Sequence, residues 1–348
     1  MRKTMRAAVF AGEGTLEIRR VPVPALEKDT EILVRVEACS VCGTDVHILS
    51  VPPRYPARPG VILGHELVGE VVAAGSGVSS LRIGDRVVCN PNEYCGICRY
   101  CRKNLPNLCE HIRPLGIEVD GGFAEYVKLS EACAYKIPSD LSAEAAMFAE
   151  PLACVLNGTH KLRVQPGESV LILGAGPIGL LLAQVLKSAG AGPLLVSEPS
   201  ALRRKFALEC GADAAIDPSQ EDLHAAVLER TGVGADYVID MTGSLLPAAV
   251  ENARKGGTVL LFGVNTAAQA SVRQSEVTQK EISVLGTWLA NASFPEAVSL
   301  LGSGLLHVER LVTHRCTLDG LEEAVNLLRQ GEAVKILVDP ESGKAVDA

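Results

Sequence analysis

Two hydrophobic rhythms divide the chain. Over residues 6–10, 16–20, 31–38, 65–74, 84–88, 123–129 and 134–137, apolar residues alternate with polar ones or form short β-branched runs broken by Gly, Pro and Asp. Period-two runs bounded in this way predict short strands in a β-rich domain with few helices. From about Leu141 the period lengthens. Residues 142–156 are Ala-rich with Ser142 as a candidate N-cap, which predicts a helix. Predicted strands at 169–173, 194–197, 214–216, 236–240 and 258–262 then alternate with predicted helices at 177–189, 201–209, 222–230 and 247–252. Such alternation builds βαβ units on a parallel sheet. The tail reads as helix 294–301, a strand near 311–315, helix 320–328 and strand 335–338, and is expected to return to the first domain.

These patterns predict an α/β protein of two domains. Residues 1–150 and 291–348 are expected to form the β-rich one, with an excursion at about 89–112, and residues 151–290 a doubly wound parallel-sheet domain. A length of 348 residues agrees with two cores rather than one.

Charge narrows the partners. With 33 Lys and Arg against 41 Asp and Glu the net charge is −8, the wrong sign for a nucleic acid. The seventeen uncharged residues 170–186 approach a membrane-spanning length. Three glycines and Pro177 interrupt them, so a buried strand followed by a buried helix is the expected structure. No signal peptide is expected at the N-terminus, and eleven cysteines, an odd number, do not suit a disulfide scaffold. A protein of the reducing cytoplasm, without a membrane partner, is the expectation.

Four of those cysteines carry chemistry. Cys95, Cys98, Cys101 and Cys109 have Cys-x2-Cys-x2-Cys-x7-Cys spacing, which closes a tetrahedron round a structural zinc and leaves no position open. Cys42, His65, Glu66 and Glu150 offer a thiolate, an imidazole and two carboxylates from separate segments. Such a mixed set suits a second zinc that keeps one position for substrate and acts as a Lewis acid on an alcohol. Thr44 and His47 follow Cys42 closely enough to carry the alcohol's proton away, and Asp45 is placed to fix the tautomer of His65.

The motif Gly174-Ala175-Gly176-Pro177-Ile178-Gly179 follows an apolar strand and opens a helix. Gly174 allows the tight turn, Gly176 lets backbone approach a pyrophosphate, and Gly179 allows close helix–strand packing. Pro177 fits the first helical turn, where its missing N–H costs little. Glu198 lies 24 residues beyond Gly174, where a carboxylate takes ribose hydroxyls and repels a 2′-phosphate. NAD is therefore expected ahead of NADP, although Arg203 and Arg204 follow closely.

Taken in order, Cys42-Gly43-Thr44-Asp45-x-His47, Gly64-His65-Glu66, the four-cysteine lobe, Gly122-Phe123-Ala124-Glu125-Tyr126, Glu150-Pro151-Leu152-Ala153 and the Gly174–Gly179 turn resemble the zinc-dependent medium-chain dehydrogenase/reductase family over essentially the whole chain. Glu150-Pro151 looks like the polyol (sorbitol-type) and threonine dehydrogenase branch. The resemblance implies a GroES-like catalytic domain, a Rossmann domain, two zinc ions per chain and a homodimer or homotetramer. It implies that Cys42 and His65 ligate the catalytic zinc and that Glu66 and Glu150 share or exchange the remaining protein position. It further implies a Thr44–His47 proton relay, ribose contacts from Glu198 and Arg203, and backbone at Val264 and Trp288 facing the nicotinamide. Sorbitol-type enzymes have an aromatic–arginine pair where this chain reads Trp288-Leu289, and the 51–59 loop is Pro-rich. The expected substrate is therefore a polyol, sugar or other secondary alcohol rather than sorbitol in particular. Oxidation of an amino-acid hydroxyl, as in threonine dehydrogenase, is the rival activity, and a non-catalytic NAD-binding zinc protein is the rival of another class.

Overall fold

A computed structural model describes residues 3–341, which cluster into two compact units. One comprises residues up to Ala153, Asn291–Gly304 and the chain from Val308 onward; the other comprises Cys154–Ala290 and Leu305–His307.

The first unit is built on a seven-stranded sheet. Its strands run in the order Val312–Thr317, Lys335–Asp339, Glu31–Ser40, Glu66–Ala74, Arg86–Cys89 and Ala134–Lys136, with Tyr126–Ser130 also paired to Glu31–Ser40. The tail thus joins the N-terminal strands: Val312–Thr317 runs parallel to Lys335–Asp339, which pairs antiparallel with Glu31–Ser40 through Leu337 opposite Ser40. Next along the sheet, Ser40 sits opposite Glu66. Side chains two residues apart on a strand share a face. The register therefore gathers Ser40, Glu66 and Lys335 on one side of the sheet, at the end where the chain leaves for Cys42. The core beneath holds Ile32, Val34, Leu67, Val71, Phe123 and Ile336, each almost fully buried.

The expected helix over 142–156 is two helices, Ala143–Ala146 and Ala149–Leu162. Ser142 caps the first by accepting from the Ala145 N–H at 3.1 Å. Glu150 falls in the first turn of the second, where a carboxylate suits the helix dipole.

The second unit carries a six-stranded sheet, every neighbouring pair parallel. Its order is Ala214–Ile216, Leu194–Ser197, Val170–Leu173, Ala235–Asp240, Ala253–Leu261 and Ser283–Gly286. Numbered along the chain that is 3-2-1-4-5-6, the doubly wound order of dinucleotide-binding folds. Val170, Leu171, Ile172 and Leu173 are wholly buried, as a central parallel strand covered on both faces requires. Helix Pro177–Ser188 follows, buried at Leu180, Leu181, Leu182 and Leu186. The uncharged 170–186 run is therefore a strand and a helix. Among the described residues no helix is long and apolar enough to cross a membrane.

Candidate metal centres and dinucleotide site

Leaving the sheet at Ser40, the chain turns into a six-residue helix, Gly43–Ile48, capped by Cys42. Cys42 Sγ accepts from the Thr44 N–H at 3.5 Å, and the Cys42 N–H donates to Asp45 Oδ2 at 2.9 Å. This reciprocal pair is a capping box with sulfur in place of the usual hydroxyl, and it aims the Cys42 sulfur along the helix start. Thr44 Oγ1 lies 3.7 Å from that sulfur. His47, in the last turn, is half-buried.

His65 comes from the strand entry opposite. Gly64 precedes it at φ +88°, and a Cβ there would fall 2.7 Å from the Phe123 ring. Phe123 and Gly122 also donate backbone hydrogen bonds to Leu63 and Gly64, at 2.9 and 2.7 Å. The Gly64-His65-Glu66 and Gly122-Phe123-Ala124-Glu125 motifs are thus one packing unit: a bare backbone and a buried ring together fix His65.

Ligand atoms of Cys42, His65 and Glu66 all lie within 4.8 Å of one another. Behind them, Asp45 Oδ1 sits 3.9 Å from His65 Nδ1, and neither atom has a hydrogen-bond partner. Asp45 is completely buried. Burial alone would depress the His65 imidazolium, yet the Cys42 sulfur, Asp45 and Glu66 hold its pKa well above the ordinary value. Asp45 is pushed up by burial, against the pull of His65 and the Cys42 N–H. An anionic pocket that strongly favours positive charge, with buried donor atoms lacking partners, fits a divalent cation ligated by sulfur, nitrogen and oxygen. Glu150 is not in this set, though its charge reaches Lys335 and Cys89.

Lys335 is the element that sequence reasoning missed. Its side chain is 2% exposed, and Nζ is ion-paired with Glu66 Oε2, which also accepts from Ser40 Oγ. Glu66 Oε1 is buried without a partner. Burial opposes a charged lysine, but Glu66, Cys42 and Glu150 raise its pKa above the ordinary value.

The four sulfurs of Cys95, Cys98, Cys101 and Cys109 form a second group within 4.8 Å. Two of the spacings are 3.5 Å (Cys95 to Cys109) and 4.0 Å (Cys98 to Cys109). They straddle the ~3.8 Å edge of a tetrahedron whose centre is about 2.3 Å from each sulfur. Backbone N–H groups of Cys95, Cys98 and His111 point at these sulfurs from 3.3–3.4 Å. Hydrogen bonds from backbone N–H groups, those of Cys101 and Glu110 first, lower the Cys98 thiol to about 6, whereas desolvation and the neighbouring sulfurs push Cys101 up to about 12, so the four sulfurs titrate as one group.

In the second unit, Gly174 adopts φ +106°, and a Cβ on Gly179 would fall 2.2 Å from the Gly174 carbonyl oxygen. Nothing lies within 4 Å of a Cβ at Gly176, so the start of helix Pro177–Ser188 is open, with Gly176 as N-cap and Pro177 in the first turn. Free N–H groups there, including that of Ile178, suit a pyrophosphate. Glu198 is 5% exposed, and its two oxygens accept from the Ala175 N–H at 2.8 Å and the Ser200 N–H at 2.9 Å. It therefore ties the glycine turn to the end of strand Leu194–Ser197. Arg204 is committed to Asp217 at 2.9 Å and to the carbonyls of Glu198 and Pro199. Arg203 retains a buried Nε without a partner. Val264 and Trp288 follow the ends of strands Ala253–Leu261 and Ser283–Gly286, on the same carboxyl edge of the sheet as Gly174, and are 50% and 38% exposed. Asn157, not foreseen from sequence, fixes that edge: its Nδ2 donates to the Leu289 carbonyl at 2.7 Å and the Trp288 carbonyl at 3.2 Å.

Comparison with known proteins agrees with this architecture. Residues 28–139 match the alcohol dehydrogenase GroES-like domain, and residues 177–303 match the zinc-binding dehydrogenase domain. D-arabinitol dehydrogenase 1 of Uromyces fabae is 34% identical over 343 residues, 97% of each chain. A sorbitol dehydrogenase of Halalkalibacterium halodurans is 36% identical over 337 residues, 94% of this chain and 97% of that one. Among solved structures, the alcohol dehydrogenase of Thermus sp. ATN1 superimposes with a TM-score of 0.90 at 32% identity, covering 96% of this chain and 99% of that one. An NADP-bound chain of the zinc-binding dehydrogenase type from Sinorhizobium meliloti 1021 gives 0.93 at 35% identity, covering 97% and 100%. Fold and site define an oxidoreductase that pairs a zinc-type catalytic domain with a dinucleotide-binding domain. The chain belongs to the zinc-dependent medium-chain dehydrogenase/reductase family.

Proposed function

We propose that this enzyme oxidises a secondary alcohol of a polyol, sugar or sugar-derived substrate to the ketone, passing the hydride to NAD. The observation that carries the reading is the Cys42–His65–Glu66 cluster with its buried Asp45, on the same chain as a glycine turn braced by Glu198. Relatives named for arabinitol, sorbitol and arabitol phosphate support the substrate class.

Zinc held by Cys42, His65 and a carboxylate supplies a Lewis acid that lowers the pKa of an alcohol, and NAD supplies the hydride acceptor. The protein's own part is orientation and proton transfer. Thr44, 3.7 Å from the Cys42 sulfur, takes the hydroxyl proton through Oγ1. His47 receives it at its ring and delivers it to solvent, for which its half-buried position is suited. Asp45 holds the His65 ring by its Nδ1 side and so keeps Nε2 turned toward Cys42. On the cofactor side, Gly174, Gly176, Pro177, Ile178 and Gly179 cradle the pyrophosphate, Glu198 and Arg203 hold the adenosine ribose, and Val264 and Trp288 border the nicotinamide. A carboxylate at the ribose favours NAD, and the commitment of Arg204 to Asp217 leaves Arg203 as the one guanidinium of the pair for a 2′-phosphate.

In this reading residues 1–150 and 291–348 are the catalytic domain, residues 151–290 bind the dinucleotide, and Cys95, Cys98, Cys101 and Cys109 hold the structural zinc. We also propose a cytoplasmic homodimer or homotetramer, which light scattering of the purified protein tests. The activity is tested by metal analysis joined to a dehydrogenase screen. The expected result is about two zinc per chain and NAD reduction with at least one polyol, abolished by chelation. Full turnover in metal-stripped protein overturns it.

A second reading has an observation behind it. The L-threonine 3-dehydrogenase of Thermococcus kodakarensis is 35% identical over 331 residues, and Arg54 and Arg58 are exposed on the loop that precedes Gly60. Threonine assayed beside the polyols decides between the two.

A further inference from the structure

Lys335 has no part in the mechanism above, yet it is among the largest fully buried side chains of the chain. A buried ammonium is costly unless paired, and its pairing here is specific. Nζ bonds Glu66 Oε2, Ser40 Oγ takes the same oxygen, and the Phe148 ring lies 5.8 Å away. Glu66 Oε1 is left buried and unpaired, so one oxygen of this carboxylate faces a fixed cation and the other is free for a metal. Glu66 therefore has two cations to satisfy it, Lys335 and the metal that the cluster would hold.

We propose that Lys335 is a positioning residue that governs whether Glu66 ligates the metal. With Lys335 holding Oε2, Glu66 can withdraw from the metal and remain compensated, which frees a position for substrate. Without the ammonium, a withdrawn Glu66 would be an orphan in a dry pocket, so it stays on the metal. No bond is made or broken in the substrate by this residue; it acts through Glu66. The inference rests on the zinc reading of the Cys42–His65–Glu66 cluster.

The test uses the full-length holoenzyme with zinc kept in the four-cysteine lobe and cobalt(II) placed in the other centre, whose visible absorption reports coordination number. Four proteins are compared: wild type, Lys335→Met, Glu66→Gln and the double variant. Methionine keeps the volume of the buried stem without its charge. The expected result is a loss of visible intensity in Lys335→Met, toward a five-coordinate spectrum, together with cobalt release to a chelator slowed on the order of tenfold. The double variant should match the spectrum of Glu66→Gln. An unchanged spectrum in Lys335→Met overturns the proposal, as does the same spectral shift in both backgrounds, which would mark a purely structural role. If Lys335→Met does not fold, the Glu66→Gln pair carries the test: identical spectra support the proposal and different spectra overturn it. A wild type that takes up no cobalt at Cys42 and His65 overturns the zinc reading itself, and the proposal with it.

Discussion

Asp45 and His65 face each other across 3.9 Å inside the protein, and each presents an atom that nothing else satisfies. Asp45 is anchored from the other side by the Cys42 N–H at 2.9 Å, so one carboxylate braces two prospective metal ligands. Replacing Asp45 with Ala should weaken zinc binding about 10- to 100-fold, the usual cost of removing such a support. Competition titration with a coloured chelator measures it, and unchanged affinity would dismiss the bracing role.

His47 titrates below its ordinary value because burial disfavours the imidazolium and the Arg54 cation repels it. A proton acceptor works only when neutral, so the acid limb of the turnover profile should lie below about pH 6.5. Arg54→Ala removes the repulsion but not the burial, so the limb should move toward neutrality. A limb that moves to lower pH, or does not move, would mean that His47 is not the acceptor.

Glu198 satisfies two backbone N–H groups, those of Ala175 and Ser200, from a nearly buried position. Glu198→Ala should raise the KM for NAD and narrow the preference over NADP. It should also cost about 1–3 kcal/mol of stability, because the two donors lose their acceptor. Steady-state kinetics with both dinucleotides and a denaturant melt read these effects separately; an unaltered NAD-to-NADP ratio would remove Glu198 from the ribose site.

The lobe formed by Cys95, Cys98, Cys101 and Cys109 has little apolar core of its own, and Ile97, Leu105 and Leu108 are exposed. Its order is expected to come from the metal. Cys98→Ser should therefore lose about one zinc per chain and lower the melting temperature before it alters the chemistry. A fully loaded variant of wild-type stability would show that the lobe is not a zinc site.

Much of this was legible in sequence, for local reasons. The strand at residues 194–197 is legible as a short apolar run set between Pro193 and Pro199, and the helix at 201–209 follows its cap, Ser200. The glycine turn was readable because Gly174, Gly176 and Gly179 meet needs set within six residues. Helix Gly43–Ile48 was not foreseen: it is short, and its cap is a cysteine, which capping rules do not anticipate. Strand Ser283–Gly286 has four residues and no buried alternation to announce it. Lys335 was invisible for a different reason. A lysine at the head of an apolar strand reads as an exposed end, and the carboxylate that explains it is 269 residues earlier.

That separation has a consequence for how the molecule is assembled. The knot at residues 95–109 can take up its ion as soon as its own loop has emerged from the ribosome. The other centre has its sulfur, imidazole and first carboxylate early, but the ammonium that pairs with Glu66 arrives only with strand Lys335–Asp339. A nascent chain halted before that point already carries Cys42, His65 and Glu66, but Glu66 lacks its ammonium partner. The lobe thus depends on its own loop alone, whereas the Glu66 ion pair is complete only once the last strand has joined the sheet.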